Sequence, residues 1–485
     1  MRIGSAGSAV PRSLSTTRSD SWLMGTPLAI AVVALGLAIQ NNNGAFSPTA
    51  LLWVTIGVVG SAAAVLSPTA RSIEKLGDRP IVLVLSIGLA VQLGYGLTSP
   101  AGVYLAGAPD LYDRHHFLVA AAAVLAGAGL SFRPWLGRLR VPLLLAIHFA
   151  LGVWLIKASP SPHIDVYVFH QEAYRALSQH IDPYSLTMPN IYGHTVWYAE
   201  GSAVEGRLLV GFLYPPLSLL FAWPGNALGD YRYSLLVAMT LSGAFLAYAR
   251  PGRVGPTAAA VFLFTPRGLL VLEQGWTEPF VVLLASAVVF CACRAPKMLS
   301  TTLGLLLAVK QYSFFFVPIA PFLLGPFHSW KRVATLIGKA TLVAAVVTLP
   351  FAMWHLRGFI DSVILYQARQ PFRTDALSYM AWTAKDGVPR LPQWASFAVA
   401  LLALVLSLWR APRTPAGFAA ASAFVFVVFF AFAKQAFCNY YFLVLGLGCC
   451  ALATLHAPAA GDRNRQRAGS ARAPGRSLVA PVLRV

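Results

Sequence analysis

Residues 415–433, PAGFAAASAFVFVVFFAFA, are apolar on every face over about the length that crosses a bilayer as a helix. A membrane strand would alternate apolar and polar residues, and nothing in this stretch alternates. Residues 22–39 read the same way, and about fourteen such stretches fill the chain of 485 residues. Composition agrees: 57% of residues are hydrophobic, 11% are charged, and the mean hydropathy is +0.65. Those values exclude a soluble globule. Backbone polar groups in lipid must be satisfied within their own segment. The expected fold class is therefore all-α, a polytopic protein of the lipid bilayer with about fourteen transmembrane helices.

The net charge of +20 raises nucleic acid as a partner, but the basic residues occupy short loops between apolar stretches and a C-terminal tail. Arg71, Lys75 and Arg79 fall in one loop, and Arg133, Arg138 and Arg140 in another. The tail holds Arg463, Arg465, Arg467, Arg472, Arg476 and Arg484. Such a pattern orients helices and attracts anionic lipid, so no nucleic-acid partner is expected. All five cysteines lie within or at the ends of apolar stretches, which suggests neither a disulfide framework nor a metal site. No P-loop or dinucleotide fingerprint is present, and no cofactor is expected.

Basic loops held on the cytoplasmic side divide the chain. Residues 1–20 are a cytoplasmic segment, and 21–157 are N-terminal helices whose first member is retained rather than cleaved. Residues 158–231 are an extracytoplasmic loop, 232–455 are C-terminal helices with a second outer loop at 354–390, and 456–485 are a disordered basic tail. The orientation closes only if 208–224 does not cross, and Pro215, Pro216 and Pro224 make it a re-entrant or juxtamembrane segment. Between Lys297 and His328 lie only about thirty residues, where two crossings need about forty. A short hairpin with Lys310 and Gln311 at its tip fits instead. A lysine at that depth needs an anionic partner, either a lipid phosphate or one of Glu273 and Glu278.

Function is expected in the one long polar segment, about 159–207, rich in acids, histidines, tyrosines and prolines. The run His163-Ile164-Asp165-Val166-Tyr167, a helical stretch over 171–180, Asp182-Pro183-Tyr184 and Tyr214-Pro215-Pro216-Leu217 together resemble the first outer loop of the glycosyltransferase C superfamily. Within it the chain is most similar to bacterial polyprenyl-phosphate-mannose-dependent mannosyltransferases. The resemblance covers about residues 140–455 and includes Glu273-Gln274-Gly275, where a Gly-Gln motif is altered in order, Lys310-Gln311-Tyr312, and 434–441. It implies juxtamembrane helices in the outer loop, a catalytic aspartate carried onto Asp165, and a multi-pass protein of the bacterial plasma membrane acting on its outer side. The implied donor is a polyprenyl-phosphate sugar, and the implied acceptor is a glycolipid or cell-envelope glycan. A transporter or flippase of lipid-linked sugars is the alternative, although paired broken helices in two related halves are not evident.

The chemistry suits these residue types. One carboxylate takes the proton from an acceptor hydroxyl. A phosphate leaves already ionised, so cations replace the second carboxyl that glycoside hydrolysis requires. Lys310, Arg207, Arg369, Arg373, Lys434 and His163 are the candidates for the donor phosphate. Glu273, Gln274, Glu278, Gln311, Tyr167 and Tyr214 are the candidates for sugar or acceptor. Each has a structural rival: Asp165 as a helix cap, Asp182-Pro183 as a turn, the acids as interfacial markers, the arginines as plain loop charges, and Tyr192, Trp197 and Tyr198 as headgroup anchors. A metal held by His163, Asp165 and His170 matches no standard ligand spacing, and none is expected.

Overall fold

The computed structural model describes residues 24–66, 77–107, 109–128, 134–193, 197–326, 328–385 and 391–455. The expected cytoplasmic segment 1–20, the tail 456–485 and the basic residues Arg71, Lys75 and Arg133 lie outside the described residues. What is described is all-α apart from one very small sheet. The N-terminal helices are α1 (Gly25–Gln40), α2 (Pro48–Leu66), α3 (Arg79–Thr98), α4 (Pro109–Ala128) and α5 (Pro134–Ala158). The polar segment 158–231 contains α6 (Asp165–Ser178) and α7 (Pro216–Ala227), and after it come α8 (Arg232–Tyr248), α9 (Val254–Leu263) and α10 (Pro266–Glu273). The chain ends through α11 (Glu278–Arg294), α12 (Leu299–Val309), α13 (Trp330–Trp354), the short α14 (Leu356–Ile360), α15 (Tyr366–Arg369) and α16 (Tyr379–Lys385), then α17 (Ala395–Arg410), α18 (Pro415–Ala431) and α19 (Cys438–Ala453).

Five of the described helices are long and apolar enough to cross a membrane, or six if α9 and α10, bent by 51°, form one span. The bend falls at Thr265-Pro266, where proline removes a donor and forces the preceding residue out of helical geometry. Four further apolar helices are shorter. The exposed surface is that of a lipid-facing protein. On α13, Leu342, Val346, Leu349 and Met353 are all exposed at helical spacing, so the apolar stripe faces outward where a soluble helix would turn it in.

The core is built on close helix approach. α19 is buried almost along its whole length and packs against α1, α9, α11 and α18. A Cβ on Gly448 would lie 2.5 Å from a Val32 methyl, and one on Gly60 would lie 2.8 Å from the Pro27 carbonyl. Small residues at these points let helix backbones meet, which is how helices associate when lipid already solvates the apolar side chains.

Two segments bear on the expected re-entrant elements. Residues 209–215 are not helical, and α7 has 12 residues, about 18 Å of rise, too short to cross a core of about 30 Å. α12 stops at Val309, Lys310 is extended (φ −149, ψ 149), and the chain continues through 3₁₀ turns at Gln311–Phe316 and Ala320–Leu324. It returns far enough for Arg413, between α17 and α18, to sit 5.6 Å from the Phe322 ring centroid.

The segment 158–231 has its own small core of Phe169, Tyr184, Phe212, Leu219, Phe359 and Tyr366, drawn partly from the segment 354–390. Gly211 N–H donates to the Ser362 hydroxyl at 3.0 Å, which ties the two segments together. The sheet comprises β1 (Met188–Pro189), β2 (Ala203–Val204) and β3 (Arg207–Leu208) in the antiparallel order β1-β3-β2. β2 and β3 are joined by Glu205 (φ 49) and Gly206 (φ 76), a two-residue turn with both φ values positive, whose twist matches a hairpin.

Candidate functional site

α6 begins where Ile164 is extended and Asp165 enters the first turn. One Asp165 oxygen accepts from the Val166 N–H at 2.7 Å, and the Asp165 N–H donates to the Tyr192 hydroxyl at 3.2 Å. The carboxylate therefore sits at the positive end of a helix, consistent with the capping role as well as the catalytic one. The apolar face of α6, with Val166, Phe169, Ala173 and Ala176 buried, holds the helix against the loop core. The expected helix over 171–180 thus starts six residues earlier, at Asp165 itself, because Val166 and Phe169 extend its buried face. The helix ends at Ser178, and two residues on His180 takes a left-handed backbone (φ 60) ahead of Asp182-Pro183.

Asp165 is half-buried beneath Tyr192 and its neighbours. Desolvation pushes its carboxyl above the usual range, against the pull of the Val166 N–H and of the Arg373 guanidinium. Arg373 is strongly fixed. Its guanidinium bonds both Asp375 oxygens at 2.8 and 2.6 Å and lies 3.5 Å over the Trp197 ring. Its N–H donates to the Lys434 carbonyl, and the Lys434 ammonium donates to the Ala368 carbonyl at 2.8 Å.

These groups open onto a cavity of about 1380 Å³, larger than the usual small-molecule pocket of about 300–1,000 Å³. One part is polar, with Asp165, His163, Arg373, Asp375 and Lys434. The other is apolar and runs among α12, α13, α17 and α18, lined by Leu307, Phe314, Phe315, Phe397 and Phe429.

Of the residues expected from sequence, Asp165, His163, Tyr214, Lys310, Gln311, Arg373 and Lys434 line this one cavity. Lys310 is nearly buried, and its ammonium is occupied. It lies 3.0 Å from a Glu278 oxygen, donates to the Thr277 hydroxyl at 2.6 Å and faces the Tyr214 ring at 4.4 Å. Gln311 donates to the Leu213 carbonyl at 2.6 Å. Glu278 does not line the cavity but contacts two residues that do, Lys310 and Tyr312, whose hydroxyl donates to it at 3.2 Å.

The others are elsewhere. Glu273 is fully buried and accepts from the Val103 and Tyr104 N–H groups at 2.6 and 2.8 Å, so it clamps the link between α3 and α4. Gln274 is buried beside it. The Tyr167 hydroxyl donates to Asp230, and its ring stacks on Tyr231 under the Arg232 guanidinium. Arg207 bonds Thr187 across the small sheet, and Arg369 is exposed outside the cavity. His170 is buried, with Nδ1 2.9 Å from the Val166 carbonyl, and stacks between Tyr214 and Tyr231. Burial lowers its pKa to about 4 and keeps it neutral. Asp182 accepts from the Tyr184 N–H, as expected of a turn. Among the described residues no group of three His, Cys, Asp or Glu side chains is placed to hold a metal ion.

Sequence reasoning missed Asp375, Asn43 and Asn439, all of which line the cavity. Only Asp375 carried a signal, its spacing of two from Arg373. The buried Arg232, which donates to the Asp230 carboxylate and to the Ser159 and Glu273 carbonyls, was also missed. It supports the floor behind α6. No family model, curated protein or solved structure matches this chain.

Proposed function

We propose that this chain is an inverting, membrane-embedded glycosyltransferase that moves a hexose, mannose on the strength of the resemblance, from a polyprenyl-phosphate donor to an extracytoplasmic acceptor. The observation that carries the reading is one cavity with a carboxylate and a fixed guanidinium in its polar part and a phenylalanine-lined groove in the rest. A lipid-linked sugar phosphate has the same two halves.

In this reading Asp165 takes the proton from the acceptor hydroxyl as that oxygen attacks the anomeric carbon from the face opposite the phosphate. A carboxyl raised above the ordinary range is a stronger base than a solvated one. Arg373 meets the charge that grows on the departing phosphate, and its bonds to Asp375 and stack on Trp197 hold it in place beforehand. Lys434 adds a second cation nearby. Lys310, held by Glu278 and Thr277, secures the tip of the broken segment and the aromatic floor at Tyr214.

The topology that accompanies this mechanism sets the basic loops in the cytoplasm of a bacterial cell and Asp165, Arg373 and Lys434 on the outer side of its plasma membrane. In this reading about fourteen apolar stretches occupy the membrane, with α7 and the broken segment 299–324 as elements that enter and return. The deciding experiment is transfer of radiolabelled mannose from mannosyl-phosphoryl-polyprenol into membrane extracts, with wild type and Asp165→Asn at matched expression. Label that appears with wild type and vanishes with the variant supports both reaction and base. Equal label in both removes Asp165 as base. Label in neither sinks this donor, and a lipid-flipping assay then tests the transporter alternative.

A further inference from the structure

Asn41, Asn42 and Asn43 turn the chain between α1 and α2, and both Asn42 (φ 51, ψ 33) and Asn43 (φ 55, ψ 29) lie in the left-handed region. Asparagine tolerates that region better than most residues, but two in succession persist only where the surroundings fix them. The first two side chains do the fixing. The Ser47 hydroxyl donates to Asn41 Oδ1 at 2.6 Å, and Asn42 Nδ2 donates to the Phe46 carbonyl at 3.0 Å. Phe46 N–H in turn donates to the Asp375 carbonyl at 2.9 Å, which ties the turn to the loop that holds Arg373. A Cβ on Gly44 would lie 2.6 Å from the Cys438 Cα, so the turn rests directly on the first residue of α19.

Asn43 takes no part in that scaffold. Its side chain is exposed, makes no hydrogen bond among the described residues, and lines the cavity. One residue along from the Gly44–Cys438 contact on the other side, Asn439 is buried, lines the same cavity, and likewise has no side-chain partner among the described residues. Two carboxamides with unused donors and acceptors therefore flank one backbone contact. Each offers two N–H donors and a carbonyl acceptor, the combination that neighbouring sugar hydroxyls, themselves donors and acceptors, can satisfy. Trp394, which lines the cavity as well, offers a flat face of the kind on which a sugar ring stacks.

We propose that Asn43 and Asn439 form a hydroxyl-binding subsite for a neutral carbohydrate acceptor, half of it contributed by the turn between α1 and α2. The proposal rests on the transferase reading, adds the acceptor's chemical class, and gives the N-terminal helices a part in the site.

The test is direct binding to the purified full chain in detergent, read by tryptophan fluorescence. The probes are two neutral disaccharides, mannobiose and maltose, with farnesyl phosphate standing for the donor lipid. Asn43→Gly removes the amide and keeps the left-handed backbone without steric cost, so the turn is preserved. The expected result is disaccharide binding by wild type, at least fivefold weaker in both Asn43→Gly and Asn439→Ala, with farnesyl phosphate affinity within twofold of wild type. Undiminished disaccharide binding in both variants overturns the subsite. So does a wild type that binds farnesyl phosphate and neither disaccharide, a result that leaves the lipid-donor reading standing. A wild type that binds disaccharide through Asn43 but not farnesyl phosphate supports the subsite and counts against the donor.

Discussion

The Lys310 ammonium lies 3.0 Å from the Glu278 carboxylate, with the carboxylate wholly buried and the lysine nearly so. The pair joins the break after α12 to the first turn of α11. Removing one member strands the other as a buried charge, a loss of about 3–5 kcal/mol, whereas replacing both by apolar side chains of similar size is close to neutral. Lys310→Ala is accordingly expected to lower the thermal transition in detergent sharply, and Lys310→Met with Glu278→Leu to recover most of it. If the double variant is no better than the single one, the two residues are not acting as a pair.

Asp165 and Arg373 make the pH dependence specific. Burial raises the Asp165 pKa and Arg373 opposes the rise, so removing the guanidinium lets the pKa climb further. A base works only when deprotonated, so in Arg373→Gln the acid limb of the transfer-rate profile moves to higher pH, and donor KM rises. An unmoved acid limb separates Arg373 from the base.

The same shift fixes the sign of a stability effect. A carboxyl whose folded pKa lies above its unfolded value favours folding on the acid side, and that contribution is lost as pH rises through the folded pKa. At neutral pH the ionised Asp165 therefore costs stability. Asp165→Asn keeps an oxygen for the Val166 N–H, and is expected to hold or raise the thermal transition while transfer falls by about 10²–10⁴-fold. A variant that is inactive because it is unfolded would show instead that Asp165 is chiefly a cap.

Glu273 is expected to matter for the fold and not for sugar. Both its oxygens accept backbone N–H groups, from Val103 and Tyr104. Glu273→Gln turns an amide N–H toward one of them, a mismatch of about 1–3 kcal/mol. Thermal stability should fall while donor and acceptor KM stay within twofold below the transition. A selective rise in acceptor KM would restore the sugar-binding role expected from sequence.

Phe397 tests the apolar groove. It is exposed at 54%, lines the cavity, and meets the Phe429 ring at 5.2 Å. Phe397→Asn is expected to raise KM about tenfold, about 1.4 kcal/mol, for a donor of many isoprene units, and under twofold for one of two units. Equal effects on both donors would place the lipid elsewhere.

The all-α class was legible from residue order alone, because fully apolar stretches such as 415–433 permit no other way to satisfy backbone groups in lipid. The count of residues between Lys297 and His328 pointed to a hairpin tip at Lys310, where the helix does stop, and Pro215 and Pro216 marked a segment too broken to cross. The resemblance put Asp165 forward as the catalytic residue, and charge and residue type added Arg373 and Lys434 as candidates. Tertiary structure alone decided which candidates meet. Arg369 and Arg373 are equivalent in sequence, yet only Arg373 finds Asp375 and Trp197, because those partners are set by contacts between separate loops. Glu273 and Glu278 are five residues apart, and packing sends one to a backbone clamp and the other to Lys310. Asn43 could not be singled out from its two neighbours. Its amide is left over only because the other two are used to hold the turn against α19, a contact between residues nearly four hundred positions apart.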